Sequence, residues 1–226
     1  MQIKKTHSIQ QIVEEQVHKW QAIRLDKQEA KSQLPIITIS RQAGSGGHLL
    51  AQRLAQNLGL DLFDREILQG IAESAKMREL VVSRIDEKIS SAIEDMIAAA
   101  VEKNHLWRDE YFQHLVRVIS VIEKHGPAII LGRGAHFILP KKSIFRVRTI
   151  APLEKRIKNM AGWLNLPLDE ARQEAKKIEA DRGNYIKKFF HVDIDDSQYY
   201  DLVINMENLD VDAAVEIIKT AVKLKK

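Results

Sequence analysis

The fold of this chain is decided by one stretch of sequence, Ile36-Ile37-Thr38-Ile39-Ser40-Arg41-Gln42-Ala43-Gly44-Ser45-Gly46-Gly47-His48. Its β-branched apolar residues are typical of a strand buried inside a parallel sheet. The glycines then predict a tight turn, and the apolar spacing over about 48–57 predicts a helix that ends at Gly59. Glycines between a strand and a helix let backbone N–H groups converge on an anion, and the helix dipole adds positive potential. The stretch therefore predicts a phosphate-binding loop at the carboxyl edge of a sheet.

The loop departs from the Walker A pattern, which reads G-x-x-x-x-G-K-[ST]. The best-fitting frame places Arg41 at the first glycine, Gly46 at the second, Gly47 at the lysine and His48 just after it. The lysine is therefore absent, and Leu49, next along, offers no hydroxyl for magnesium. Arg41 is a bidentate phosphate donor at the ligand end of the strand, and it is our candidate to compensate for the lysine. A solvated surface arginine is the alternative interpretation.

Short apolar strands alternate with helices along the rest of the chain. After the first strand, the predicted strands lie at about 60–63, 128–131, 144–150 and 202–204. Asp64 and Asp210 are predicted to cap the helices that follow them. This alternation predicts a three-layer α/β/α fold with a five-stranded parallel sheet covered on both faces.

The N-terminal part of the chain is predicted to form a separate helix. Residues 8–31 lack Gly and Pro and carry apolar residues at helical spacing among many charges. We predict an amphipathic helical extension over 1–33, followed by an α/β domain over 34–226 with a helical insert at about 75–126. The extension either packs on its own domain, covers the core as a lid, or contacts a partner, and a homodimer through this helix is one form of the last arrangement.

Composition limits the classes of function. The formal net charge is +4, with both signs mixed nearly everywhere, so we expect no nucleic acid partner. The absence of cysteine excludes disulfides, thiolate metal sites and cysteine nucleophiles. No apolar run approaches the roughly 18 residues that cross a bilayer, and no apolar segment follows the basic N-terminus as in a secretory signal. We therefore expect a cytoplasmic protein without membrane contact. The eight histidines follow no metal-binding pattern.

Further segments follow the loop in a fixed order. They are LDLFDREIL at 60–68, ILGRGA at 130–135, APLEKR at 151–156, DR at 181–182 and YDLVIN at 200–205. Together with the loop, they make the sequence resemble the cytidylate kinase-like family, a divergent branch of the P-loop nucleoside monophosphate kinases. The resemblance covers about 36–222, which is nearly everything after the N-terminal helix.

The resemblance implies a nucleotide-dependent phosphotransferase. It implies ATP as phosphoryl donor, Mg²⁺ as cofactor and a cytidine monophosphate-like acceptor. The residues that it places on the donor phosphates are Gly44, Ser45, Gly46, Gly47 and His48. It places Asp64 in the segment that faces the acceptor, although Asp64 is equally suited to capping a helix. No metal-ligating set of residues is predicted, and hydrated Mg²⁺ is expected near Asp64 or near the aspartates at 181, 193, 195 and 196.

Arginines complete the predicted site, because phosphoryl transfer needs positive charge around spreading negative charge. The candidate catalytic residues are Arg41, Arg133, Arg156 and Arg182. The resemblance implies that Arg133 also lies near the acceptor phosphate and that Arg182 belongs to a lid at about 181–196. Surface ion pairs are the alternative role for Arg156 and Arg182. The missing lysine leaves open a non-catalytic nucleotide or anion sensor, or an interaction protein, on the same fold.

Overall fold

The computed structural model describes residues 9–22, 34–74 and 110–225, and its elements are numbered here in chain order over those residues. The chain divides into two compact units, one of Met1–Gln33 with Phe63–Gly126 and one of Leu34–Leu62 with Pro127–Lys226. The predictions made for 1–8, 23–33 and 75–109 lie outside the described residues. The division predicted at residue 33 stays a prediction.

Strands and helices alternate as the sequence predicts. The described strands are β1 (Ile36–Arg41), β2 (Leu62–Phe63), β3 (Ile129–Leu131), β4 (Ile144–Ile150) and β5 (Leu202–Asn205). The described helices are α1 (Ile9–Ala22), α2 (Gly47–Leu58), α3 (Arg65–Glu73), α4 (Glu110–His125), α5 (Ala135–Ile138), α6 (Leu153–Leu164), α7 (Leu168–Phe190) and α8 (Val211–Leu224). The strands form one sheet in the order β2-β3-β1-β4-β5. The predicted three-layer α/β fold with a five-stranded parallel sheet is confirmed.

The register of the sheet brings two glycine turns to one edge. β1 runs parallel to β3, with Ile39 opposite Leu131, and parallel to β4, with Arg41 opposite Thr149. Because parallel strands end at the same edge, the loop after β1 and the Gly132-Arg133-Gly134 turn after β3 lie side by side. The candidate site is therefore assembled from connections that are far apart in sequence.

The hydrophobic core of the second unit lies on one face of this sheet. Its buried members include Ile37 and Ile39 of β1, Val147 of β4 and Leu50 and Leu54 of α2. Side chains alternate along a strand, so Thr38 and Ser40 point to the other face of the sheet, where they are also buried. Burial of these side chains on α2 fixes the helix, and with it the loop, against the end of β1.

The opposite face of β1 carries a buried polar network. Arg148 is only 2% exposed, and its Nη1 donates to Ser40 Oγ at 2.7 Å while its Nη2 donates to Asp195 Oδ1 at 2.5 Å. The Tyr200 hydroxyl donates to the carbonyl of Ile194 at 2.7 Å, and the ring lies 5.5 Å from the Arg148 guanidinium carbon. Asp195, one of the aspartates expected near Mg²⁺, is thus paired with a buried arginine.

His136, in α5, makes stability depend on pH. Burial lowers the pKa of His136 from 6.5 to about 3, and the charges of Arg146 and Arg148 add to this effect. The folded protein keeps His136 neutral while the unfolded chain binds a proton below about pH 6.5, so stability falls as pH falls from about 6.5 towards 3. At pH 5 the expected loss from this group is about 2 kcal/mol.

Urea unfolding of wild type and of His136→Gln at pH 8 and pH 5 measures this effect. The difference between the two pH values should shrink by about 2 kcal/mol in the variant. His191→Asn is the matched control, because His191 is an exposed histidine that ends α7 in the left-handed conformation, which asparagine tolerates. An equal pH dependence of stability in wild type and His136→Gln would contradict the lowered pKa of His136.

The first unit contains α1, α3 and α4, and α3 contacts both of the other helices. Asp64 caps α3, since its Oδ1 accepts the backbone N–H groups of Glu66 and Ile67 at 3.0 Å each. Val13 of α1 is buried, which is what a helix packed on its neighbours requires. A homodimer through α1 stays a prediction.

Candidate phosphate-binding site

Two glycines give the loop its shape. Gly44 and Gly46 have φ angles of 79° and 86°, which L-residues with a side chain rarely adopt. A Cβ on Gly44 would overlap the backbone carbonyl of Arg156, so the loop packs directly on the first turn of α6. α2 begins at Gly47, and the N–H groups of its first turn have no acceptor within the helix. These groups lie at the carboxyl end of β1, where an anion is attracted by the helix dipole.

Side chains of α6 and α7 hold the loop through its carbonyl groups. Arg182 Nη1 donates to the carbonyl of Arg41 at 2.9 Å, and Arg156 Nη1 donates to that of Ala43 at 3.2 Å. Asn159 Nδ2 donates to the carbonyl of Gly44 at 2.9 Å. In a trans peptide the C=O and the following N–H point in opposite directions. Binding of the Ala43 carbonyl by Arg156 therefore turns the N–H of Gly44 away from α6.

Ser45 is turned into the protein. Its Oγ donates to the carbonyl of Gln42 at 2.9 Å and lies 2.8 Å from Thr149 Oγ1, and its own N–H donates to the same Gln42 carbonyl at 3.2 Å. These bonds brace the turn from inside, and the phosphate contact predicted for Ser45 stays a prediction. His48 is exposed in the first turn of α2, where its Nε2 lies 3.0 Å from Gln52 Nε2.

Arg41 extends from the loop to the neighbouring turn. A Cβ on Gly47 would lie 2.5 Å from Arg41 Cβ, and a Cβ on Gly132 would overlap the Arg41 guanidinium. The side chain thus runs from the start of α2 to the turn after β3. Gly132 has a φ of 85° and no side chain, so it gives the guanidinium room at the ligand edge of the sheet. This position agrees with the predicted placement of Arg41 beside the loop.

Arg133 and Arg182 are linked through one helical turn of α7. Arg133 has a φ of 55°, and its guanidinium carbon lies 5.7 Å from the centre of the Tyr185 ring. Tyr185 also donates its hydroxyl to the Arg133 carbonyl at 3.4 Å. Since Tyr185 follows Arg182 by three residues, both point from the same face of α7. The structure therefore brings Arg41, Arg133 and Arg182 to the ends of β1 and β3.

Arg156, like Arg182, donates to a carbonyl of the loop, but it is the more buried of the two. It is 8% exposed, and its Nε donates to the carbonyl of Ala151 at 3.0 Å while its Nη1 donates to Ala43. Its donors therefore hold backbone in place, which makes it a support of the loop. The catalytic role predicted for Arg156 stays a prediction.

Sequence reasoning did not identify Glu179, Asn159 or Thr149. The backbone N–H of Ala43 donates to Glu179 Oε1 at 2.6 Å, which places an acidic side chain directly on the loop. Glu179 lies three residues before Arg182, and this spacing on a helix was the available signal. Nothing in the local sequence indicates Asn159 or Thr149, since their contacts join segments more than a hundred residues apart.

The acidic candidates do not converge on one point in the second unit. Asp193 Oδ1 accepts the N–H of Asp195, and Asp196 Oδ1 accepts the N–H of Gln198. Within 9–22, 34–74 and 110–225, no group of three or more histidine or acidic side chains could hold a metal ion. The role of Asp64 towards an acceptor stays a prediction, and its capping role is confirmed.

A buried parallel strand, a glycine loop and a helix N-terminus with arginines around them define a P-loop-type α/β protein. The comparison with known families agrees with this class. The chain belongs to the cytidylate kinase-like family, whose model matches residues 36–208. This membership supports a nucleotide kinase function and the binding of a small-molecule nucleotide.

Relatives of similar length cover most of the chain. The cytidylate kinase of Archaeoglobus fulgidus is 28% identical over 190 residues, which are 84% of this chain and 96% of the relative. That of Natronomonas pharaonis is 24% identical over 188 residues, or 83% and 88%. An uncharacterized protein from Eubacterium ventriosum has the same fold, with a TM-score of 0.70, 22% identity and coverage of 86% of this chain and 100% of its own.

The comparisons agree with the sequence-based family assignment. No helix in the described part of the chain is long and apolar enough to cross a membrane.

Proposed function

We propose that the chain transfers the γ-phosphoryl group of ATP to a nucleoside monophosphate resembling CMP. The observation that carries the proposal is the placement of Arg41 across the loop, in a member of the cytidylate kinase-like family. Its guanidinium lies at the carboxyl edge of the sheet, where α2 begins and the N–H groups of its first turn are located. A phosphate bound at this edge would meet both backbone donors and a planar cation.

The missing lysine has a steric reason in this protein. A Cβ at Gly47, the position of the Walker lysine, would lie 2.5 Å from Arg41 Cβ and 2.6 Å from Thr149 Oγ1. Real Cβ atoms do not approach other atoms so closely. The stem of Arg41 thus occupies the space into which a side chain at position 47 would start. Arg41 and a lysine at this place exclude each other, which supports Arg41 as the cation of the loop.

Each group has a defined task in the proposed reaction. The first turn of α2 and Arg41 bind and orient the donor phosphates, and Arg182 and Arg133 add positive charge where negative charge spreads. ATP would supply the phosphoryl group. No group of three or more candidate metal ligands occurs in the described ranges, so nucleotide phosphates and water would supply most of the Mg²⁺ ligands, as is usual for this ion.

A phosphotransfer assay tests the proposal. The full chain is mixed with ATP, Mg²⁺ and, in separate reactions, CMP, dCMP, UMP, AMP and GMP, and nucleoside diphosphates are measured by chromatography. We expect diphosphate from the cytidine nucleotides first. Absence of diphosphate from every acceptor would remove the enzymatic proposal.

The second candidate is a non-catalytic nucleotide sensor, and the glycine at the lysine position favours it. Calorimetry with ATP and ADP separates the two functions. Binding of either nucleotide without turnover of any acceptor would support the sensor. Turnover of a nucleoside monophosphate would exclude it.

Gly47→Lys is expected to damage the protein instead of restoring a Walker loop. The new Cβ would contact Arg41 and Thr149, so we expect a melting temperature lower by several degrees and phosphotransfer reduced at least about tenfold. His48→Lys places the same side chain one residue later at an exposed position and should melt close to wild type. Higher activity in Gly47→Lys than in wild type would show that the loop accepts a lysine.

A further inference from the structure

One acidic side chain touches the loop that is proposed to bind phosphates. The carboxylate of Glu179, in α7, accepts the N–H of Ala43 through Oε1 at 2.6 Å. This is the short distance of a bond to a charged acceptor. The side chain is 27% exposed, so water screens the contact only in part.

Two arginines face the same carboxylate. Arg156 Nη1 lies 3.9 Å from Glu179 Oε2, and Arg182 Nη1 lies 4.0 Å from Glu179 Oε1. These distances are too long for hydrogen bonds, and both Nη1 atoms donate to loop carbonyls instead. The two cations nevertheless attract the carboxylate through space. Glu179 therefore sits where a backbone N–H and two guanidinium groups converge.

A backbone N–H beside two arginines is the set of groups that binds a phosphate oxygen. In this protein, the Glu179 carboxylate is the anion that these groups hold. A polyphosphate entering the loop would bring two or more further negative charges close to Glu179. The like charges repel, and both anions are attracted by Arg182, which lies 4.0 Å from Glu179 and is assigned to the phosphates in the proposed reaction.

We propose that the Glu179 carboxylate is an internal counter-anion of the loop. It competes with nucleotide phosphates for the loop and leaves Ala43 when they bind. The inference rests on the proposed phosphate-binding role of the loop. Glu179 joins α7 to the loop through the N–H of Ala43, and Arg182 joins them through the carbonyl of Arg41, so release of Glu179 removes one of these two links. Occupation of the loop is thereby coupled to the position of α7. The loop has two states, one with Glu179 bound to Ala43 and one with Glu179 released. A ligand that binds the released state better shifts the equilibrium towards it.

The test is the affinity of the full chain for inorganic tripolyphosphate, measured by calorimetry at low salt. Glu179→Gln removes the charge and keeps an amide oxygen that can accept the Ala43 N–H. We expect it to bind tripolyphosphate about tenfold tighter than wild type. Glu170→Gln makes the same charge change at an exposed position of α7 and should bind like wild type.

The outcomes separate the inference from the proposed function. If wild type binds tripolyphosphate and Glu179→Gln binds it equally or more weakly, the competition is overturned, and the loop remains a phosphate site. No binding by any variant overturns both. If Glu179→Gln does not melt cooperatively, Glu179→Asp decides, since its shorter side chain withdraws the carboxylate from Ala43. Tighter binding by Glu179→Asp supports the competition, and unchanged or weaker binding overturns it.

Discussion

Arg41→Ala is expected to lower kcat/KM for phosphotransfer at least about 100-fold, the effect of losing one positioned donor to a developing charge. The guanidinium of Arg41 spans the loop and the turn after β3, where Gly132 leaves room for it. The loop contains no lysine that could take over its charge, since position 47 is glycine. Initial rates with ATP and the best acceptor measure the effect.

Two variants control this prediction. Arg41→Lys keeps the charge but loses the planar fork, so we expect an activity between wild type and alanine. Arg53→Ala removes an exposed arginine of α2 that pairs with Asp212 of α8 at 3.3 Å, and it should leave the rate unchanged. Arg41→Ala with near wild-type activity would show that the loop works without this cation.

Gly44→Ala is expected to lower the free energy of unfolding by about 3 kcal/mol or more. An L-residue at its φ of 79° costs about 1–2 kcal/mol by itself. The new Cβ would in addition overlap the carbonyl of Arg156, which is backbone and cannot rotate away. Separation of the loop from α6 would also break the bond from Arg156 to the Ala43 carbonyl. Urea unfolding measures the change.

Gly46→Ala is the matched control for Gly44→Ala. Gly46 has a similar φ of 86°, but a Cβ there would meet no atom within 4 Å. It should therefore show only the conformational cost of about 1–2 kcal/mol. Equal losses in the two variants would mean that the close packing of the loop on α6 does not contribute to stability.

Much of the fold could be predicted because the signals are local. The run of β-branched residues in β1, the glycine at the end of α2 and the aspartate caps of α3 and α8 are each readable within a few residues. The spacing of apolar residues and the capping residues of helices indicate directly whether a segment is a strand or a helix. The parallel arrangement followed from the alternation of strands and helices.

The candidate site was predictable only in part, because its finer contacts join distant segments. Arg41 followed from its place at the end of β1, and Arg133 and Arg182 followed from the family resemblance. Glu179 contacts Ala43, and Asn159 contacts Gly44, across more than a hundred residues, and no pattern along the chain encodes such pairs. The exclusion of a side chain at position 47 likewise depends on three-dimensional packing.

The central claim is that the loop after β1 binds the phosphates of a nucleotide with Arg41 in place of the Walker lysine. A crystal structure of the protein with ADP and Mg²⁺ tests it most directly. We predict phosphate density against the backbone N–H groups of Gly44 to His48, with the Arg41 guanidinium in contact with a phosphate oxygen. Nucleotide bound elsewhere, or phosphates at the loop with Arg41 turned away, would contradict the claim.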